Sequence, residues 1–334
     1  MTVPTLHARD PRVIRPGICC EPGPMAVVAP VEGFDLDRYL RASKRVDLSS
    51  VEWGLIRKTP LAEDDARCLT YMMDIETHTA VFLRDLLATR AGFDPDVTAF
   101  LSCWAYEEVW HGEAFSRFLG EAGYKLGPDH EAVRADDAYP TRQARNDLIR
   151  RAMGRKGYAS HVATLVGSAL FKDFVAIHMT WGAANELTTL SAYHRLIAKT
   201  EHPQLVQMLQ AIIKDERRHF AFYRAQARLR LQTPTARRIT RWSMEHLWAP
   251  VGTGVRPQSE TDHVATYLFG DADGRRTLDD MQITMSELPG LGGTTFFFDA
   301  VEAAEARSVV ERRPLRDAGR SRGGTRSRRH LRSG

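Results

Sequence analysis

The sequence predicts an all-α protein: a four-helix bundle with further helices packed around it. Three observations lead there. Four long stretches repeat apolar residues at alternating steps of four and three, the spacing of a bundle seam. Each of these seams carries a glutamate, and two of them carry a histidine one turn later. The chain of 334 residues is 43% hydrophobic, enough for a large core, yet holds no run of about 18 apolar residues that would span a bilayer.

The elements follow in order. Residues 1–34 are rich in Pro and Gly without a sustained period, which predicts a mobile arm. A first helix and a linking segment are expected over 35–58. Pro60 and the acids Glu63 to Asp65 open the first seam helix, about 62–90, where acids suit the positive helix end. Its stripe reads Leu69, Met73, Glu76, Ala80, Leu83 and Leu87. Gly92 ends that segment. Asp94 then caps the second helix, with Pro95 in its first turn, and the stripe Val97, Leu101, Trp104, Glu108, His111, Phe115 and Phe118 carries it to about Leu119, before Gly120.

Residues 121–157 read as a polar loop and a basic piece, with Arg142, Arg145, Arg150, Arg151, Arg155 and Lys156 against only Asp147 from Arg142 onward. The third seam helix, about 158–198, carries Met179, Ala183, Glu186, Leu190 and Tyr193. His202 and Pro203 break the chain before the fourth, whose stripe is Leu205, Leu209, Ile212, Glu216, His219 and Tyr223, ending near Leu231 before Pro234. Shorter flanking helices are expected over 235–300, with glycines at the turns and Leu288-Pro289-Gly290 closing the last. The arrangement is one helical domain over 35–304 and a disordered Arg-rich tail over 305–334.

Charge and cysteine narrow the function classes. Residues 307–334 carry ten Arg against Glu311 and Asp317, so the net charge of +4 becomes −4 over residues 1–306. The basic pI is no argument for nucleic-acid binding. Cys19, Cys20, Cys68 and Cys103 have neither zinc-finger spacing nor the density of a disulfide scaffold. Reduced thiols, together with the absence of a basic-then-apolar leader, predict a cytoplasmic protein without stable membrane insertion.

The chemistry lies in the seams. Glu76, Glu108 with His111, Glu186, and Glu216 with His219 take positions where a bundle core wants Leu. A carboxylate buried without a partner is costly, and four together need cations. Two divalent ions balance four glutamates, and imidazole with carboxylate suits iron, with manganese as the other candidate. The order Glu, Glu-x-x-His, Glu, Glu-x-x-His is the ligand pattern of ferritin-like dimetal carboxylate bundles.

Over about residues 65–232 the chain resembles the soluble acyl-acyl-carrier-protein desaturases of the ferritin-like superfamily. EEVWHGE (Glu107 to Glu113) is similar to that family's Glu-Glu-x-Arg-His-Gly, and KDERRH (Lys214 to His219) to its Asp-Glu-x-Arg-His; DIETH around Glu76 and ELTT from Glu186 to Thr189 match its lone glutamate and its Glu-x-x-Thr. The resemblance implies that Glu76, Glu108 and His111 serve one iron and Glu186, Glu216 and His219 the other, with Glu108 and Glu216 bridging. It implies that Glu107 and Asp215 hold the outer nitrogens of the histidines, that Arg218 is the motif's arginine, and that Thr189 assists oxygen or proton handling. Trp110 stands where the first motif carries arginine.

The expected activity is a dioxygen-dependent desaturation of a fatty acyl chain, with acyl carrier protein, a ferredoxin-like or flavoprotein electron donor and a second copy of the chain as partners. A hydroxylase or amine N-oxygenase on the same scaffold is the alternative enzyme, because fold and metal do not fix the substrate. A non-catalytic iron-binding protein is the alternative outside enzymes. For carrier docking, the stretch from Arg142 to Lys156 is the first candidate, and Arg224, Arg228, Arg237 and Arg238 form the second.

Overall fold

A computed structural model describes residues 34–126, 132–134 and 155–312. Its architecture is an all-α helical bundle. The helices are α1 (Leu36–Ala42), α2 (Glu63–Leu87), α3 (Pro95–Glu121), α4 (Arg155–Leu170), α5 (Phe174–Lys199), α6 (Pro203–Arg230), α7 (Pro234–His246), α8 (Gln258–Phe269), α9 (Ala272–Ser286) and α10 (Phe296–Arg312). α2 packs on α3 and α5 on α6 as two helical hairpins, joined by contact between α3 and α6. α7, α8 and α9 lie against α5, and α10 covers α8 and α9. No helix among the described residues is long and apolar enough to cross a membrane.

Local chemistry fixes the helix ends. Asp94 accepts from Asp96 and Val97 backbone N–H groups with Pro95 behind it, and His202 accepts from the Leu205 N–H with Pro203 behind it. Gly92 lets the chain fold back on α2: a Cβ there would lie 2.2 Å from the Leu87 carbonyl oxygen. Gly120 remains helical, and the stop falls at Gly123, whose φ of 84° releases the chain into left-handed backbone.

Three expectations change. The third seam helix is broken into α4 and α5, because Arg90 takes the Ser168 carbonyl at 2.7 Å and the Ala169 carbonyl at 3.4 Å, ending α4 before Asp173 starts the next helix. Within the expected polar loop, Tyr124–Leu126 (β1) pairs antiparallel with Ala132–Arg134 (β2). The last helix runs to Arg312, beyond the expected start of the tail, because Glu305 holds Arg275 at 2.6 Å and Arg307 holds Asp262 at 2.8 Å. The arm over residues 1–33 and the tail beyond Arg312 lie outside the described residues, as does the basic stretch from Arg142 to Arg151.

The core follows the seams of α3 and α6 throughout: Val97, Leu101, Phe115, Phe118, Leu205, Leu209 and Ile212 are fully buried. In α2 the stripe holds only as far as Glu76. Ala80 and Leu87 turn outward, and Thr79 and Leu86 are buried instead. A straight helix drifts from a seven-residue repeat, so a stripe drawn at steps of four and three leaves the core within a few turns unless a partner helix follows it.

Candidate metal centre

Each central helix brings its acid to the same level of the bundle. Glu76, Glu108, His111 and Glu216 form one group and Glu108, Glu186, Glu216 and His219 the other, with ligand atoms within 4.8 Å of one another in each. All six residues are buried, and Glu108 and Glu216 belong to both groups. Each group can hold a metal ion. The i,i+3 spacing is what makes this work, since it stacks each glutamate and its histidine on one helix face.

The two histidines are arranged reciprocally. His111 turns Nδ1 inward, 3.1 Å from both Glu108 and Glu216, and its Nε2 donates outward to Asp215 of α6 at 3.2 Å. His219 turns Nδ1 toward Glu108 at 3.1 Å, and its Nε2 donates to Glu107 of α3 at 2.8 Å. Each outer acid therefore comes from the opposite motif. An outer hydrogen bond of this kind fixes ring orientation and leaves the inner nitrogen's lone pair for a metal. Arg218 ties the pair together, reaching Glu107 at 3.1 Å and Asp215 at 2.5 Å.

The donor set fits cations rather than a self-contained network. Both carboxylate oxygens of Glu216 and Nδ1 of His219 are buried without a hydrogen-bond partner, although buried polar atoms are nearly always paired. Protons do part of the cations' work. Burial, with the Glu108 and Glu216 charges, pushes Glu76 well up, and burial pushes Glu186 up despite the opposing His219. Burial acts against ionising Glu108, but the hydrogen bond from Glu76, the nearby His219 charge and the hydrogen bond from His111 hold it well below the ordinary range. His111 and His219 stand well above theirs because their carboxylate partners outweigh burial.

Three participants escape sequence reasoning. Tyr39 of α1 donates to Glu107 at 2.9 Å across a separation no local pattern reports. Tyr193 donates to Glu76, and Tyr223 packs beside the site; their seam positions, seven residues after Glu186 and Glu216, are the signal that marks them as inward. Trp110, in place of the motif's arginine, stacks under Arg45 at 4.1 Å and takes no part in holding Glu107. Arg218 and Tyr39 do that instead.

A cavity of about 770 Å³ runs from exposed Phe171, Arg238 and Trp242 to Glu76, Glu108, Glu186 and Glu216, with mostly apolar walls. Thr189 lines it near the carboxylates, while neighbouring Thr188 bonds back to the Ala184 carbonyl at 2.7 Å. Gly182 lines it too, and its missing side chain admits Tyr223, whose ring would lie 2.2 Å from a Cβ. Of the second basic group, Arg224 pairs with Glu287, Arg237 caps the end of α6 through the Leu231 carbonyl, and Arg238 stands at the cavity mouth. Comparisons with models of known families, with curated proteins and with solved structures found no match for this chain.

Proposed function

We propose that the chain is a dioxygen-dependent diiron oxidase that desaturates a fatty acyl chain presented on acyl carrier protein. The observation that carries this reading is the mostly apolar cavity that reaches the four glutamates of the Glu/His cluster. A metal-storage protein needs no such cavity, whereas an enzyme acting on an aliphatic chain needs a dry channel to hold it. Two iron ions held by Glu76, Glu108, His111, Glu186, Glu216 and His219 would supply dioxygen reduction and attack on unactivated C–H bonds.

The protein's own share is positioning. Ile75, Phe174, Ile177 and Trp181 exclude water along the chain, and Gly182 and Thr189 leave space beside the ligands. Thr189 offers a hydroxyl for proton handling there. The reaction joins one dioxygen, two electrons and two protons with a –CH2–CH2– unit to give –CH=CH– and two waters, the electrons coming from a ferredoxin-like or flavoprotein donor. Arg238 at the mouth suits the acidic carrier that the motif resemblance implies.

The test is mass spectrometry of acyl carrier protein loaded with a series of saturated chains, incubated with iron-loaded protein, reductant and dioxygen. A loss of two mass units supports desaturation. A gain of one oxygen points to the hydroxylase, and oxygen added to an aryl amine in a parallel panel to the N-oxygenase. Iron oxidation without any organic product overturns the enzymatic reading.

A further inference from the structure

The cavity walls are mostly apolar, yet a polar step lies beside the carboxylates. It is made by Asn185 and Thr189, one turn apart on α5 and both lining the cavity. The indole N–H of Trp248 donates to Asn185 Oδ1 at 3.1 Å. Trp248 is itself held edge-on against Phe296 and Phe297, with ring centroids 5.1 and 5.2 Å away. An indole nitrogen can only donate, so the amide stands with its oxygen toward Trp248 and its NH2 group turned away from it. Nothing among the described residues accepts from Nδ2. It is nevertheless not one of the orphaned atoms sealed from solvent, and Asn185 is only half-buried, so the NH2 group keeps accessible surface on the cavity that Asn185 lines. Thr188 donates its hydroxyl back to the Ala184 carbonyl at 2.7 Å, whereas half-buried Thr189 makes no such bond to its own helix.

A plain hydrocarbon lying across this step would strip water from both groups and replace none of their hydrogen bonds. Leaving a polar group unpaired in that way costs more than a neutral hydrogen bond gains. An oxygen on the chain removes the penalty. A secondary hydroxyl has two lone pairs and one O–H, so it can accept from Asn185 Nδ2 and exchange a second bond with the Thr189 hydroxyl, which donates or accepts. Residues four apart on a helix have Cβ atoms about 5–6 Å from each other, close enough for one oxygen to reach both side chains. Glu186 follows Asn185 directly and lines the same cavity, which sets the carbon bearing that oxygen next to the ligand cluster.

We propose that Asn185 and Thr189 form a binding site for a hydroxyl carried on the acyl chain beside the reacting carbons. The substrate class is then a hydroxylated long-chain acyl group rather than a plain saturated one. This rests on the acyl reading above and narrows it. Asn185 is the specificity-determining residue, because Trp248 fixes the direction of its donor.

The test is calorimetric titration of metal-free full-length protein with octadecanoyl pantetheine and with its monohydroxylated isomers, one hydroxyl position at a time. The parent should bind one isomer, or two neighbouring ones, about tenfold more tightly than the plain chain. Asn185→Leu should bind the plain chain at least as tightly as the parent and lose the preference, a coupling between residue and hydroxyl that a purely structural role would not produce. Thr189→Val keeps the side-chain shape and leaves the Trp248 contact untouched; it should lose part of the preference and guards against a folding defect in the Leu variant. A parent that binds the plain chain as tightly as every hydroxylated isomer, or a preference that survives undiminished in both variants, overturns the hydroxyl site while leaving the acyl reading intact. A parent that binds none of these probes overturns the acyl reading and this inference with it.

Discussion

Replacing Glu216 with Met should make the metal-free protein more stable while abolishing its response to metal. Glu216 is fully buried, and both carboxylate oxygens lack hydrogen-bond partners. An unpaired buried acceptor costs about 1–3 kcal/mol, and an unbranched Met of similar volume removes both acceptors without opening a cavity. Loss of the 3.1 Å approach to His111 offsets part of this. A net gain of about 1–2 kcal/mol corresponds to a Tm rise of about 2–8 °C for a domain of this order. Metal acts oppositely: a ligand at a hundred times its Kd stabilises the parent by about 2.7 kcal/mol, and the variant should lose nearly all of that. Scanning calorimetry at pH 7, with chelator and then with anaerobic ferrous iron or manganese, should give the metal-free variant the higher Tm and the metal-bound parent the larger shift. A metal-free variant melting below the metal-free parent would refute the claim that Glu216 is left unsatisfied without cations, and an undiminished metal shift would refute its role as a ligand.

Acidity provides a second test. The raised Glu76, Glu186, His111 and His219 bind protons more tightly folded than unfolded, so their stabilisation is complete below their unfolded values of about 4.3 and 6.5 and is lost as pH rises. Burial pushes His78 and His178 down to about 4, which favours folding as pH rises toward 6.5 and offsets the loss below that value; between pH 6.5 and 8 the metal-free Tm should therefore fall while metal affinity climbs, since ligands must shed protons to bind, and a metal-free Tm that rises across this window contradicts the exchange of protons for cations. The depressed acids Glu107 and Asp215 contribute only to loss of stability at lower pH. Tyr39→Phe removes a donor from Glu107 and should weaken metal binding by about tenfold in chelator competition; unchanged affinity would leave Tyr39 a packing residue. Gly182→Ala places a methyl into the Tyr223 ring and should cost about 1–3 kcal/mol in urea unfolding, a neutral result showing that the ring moves aside freely.

The sequence by itself determined the helical class, the cap at Asp94, the break at His202-Pro203, and all six ligand candidates. Those features are local or periodic: a cap needs one side chain and the next turn, and a ligand pair needs only the i,i+3 spacing on a seam that the apolar residues already define. The full burial of the α3 and α6 stripes follows from the same regularity. Only the tertiary structure decided the rest. Tyr39 reaches Glu107 from a short helix distant in sequence, Arg90 ends α4 by taking carbonyls from another part of the chain, and the outer acids cross between motifs so that Asp215 serves His111 and Glu107 serves His219. The cavity, with Gly182 yielding to Tyr223 and His178 left unpaired on its wall, is likewise a product of packing. Periodicity tells which way a side chain points along its own helix, but which group it meets depends on how neighbouring helices are offset and turned, and that is set by the summed packing of the whole bundle.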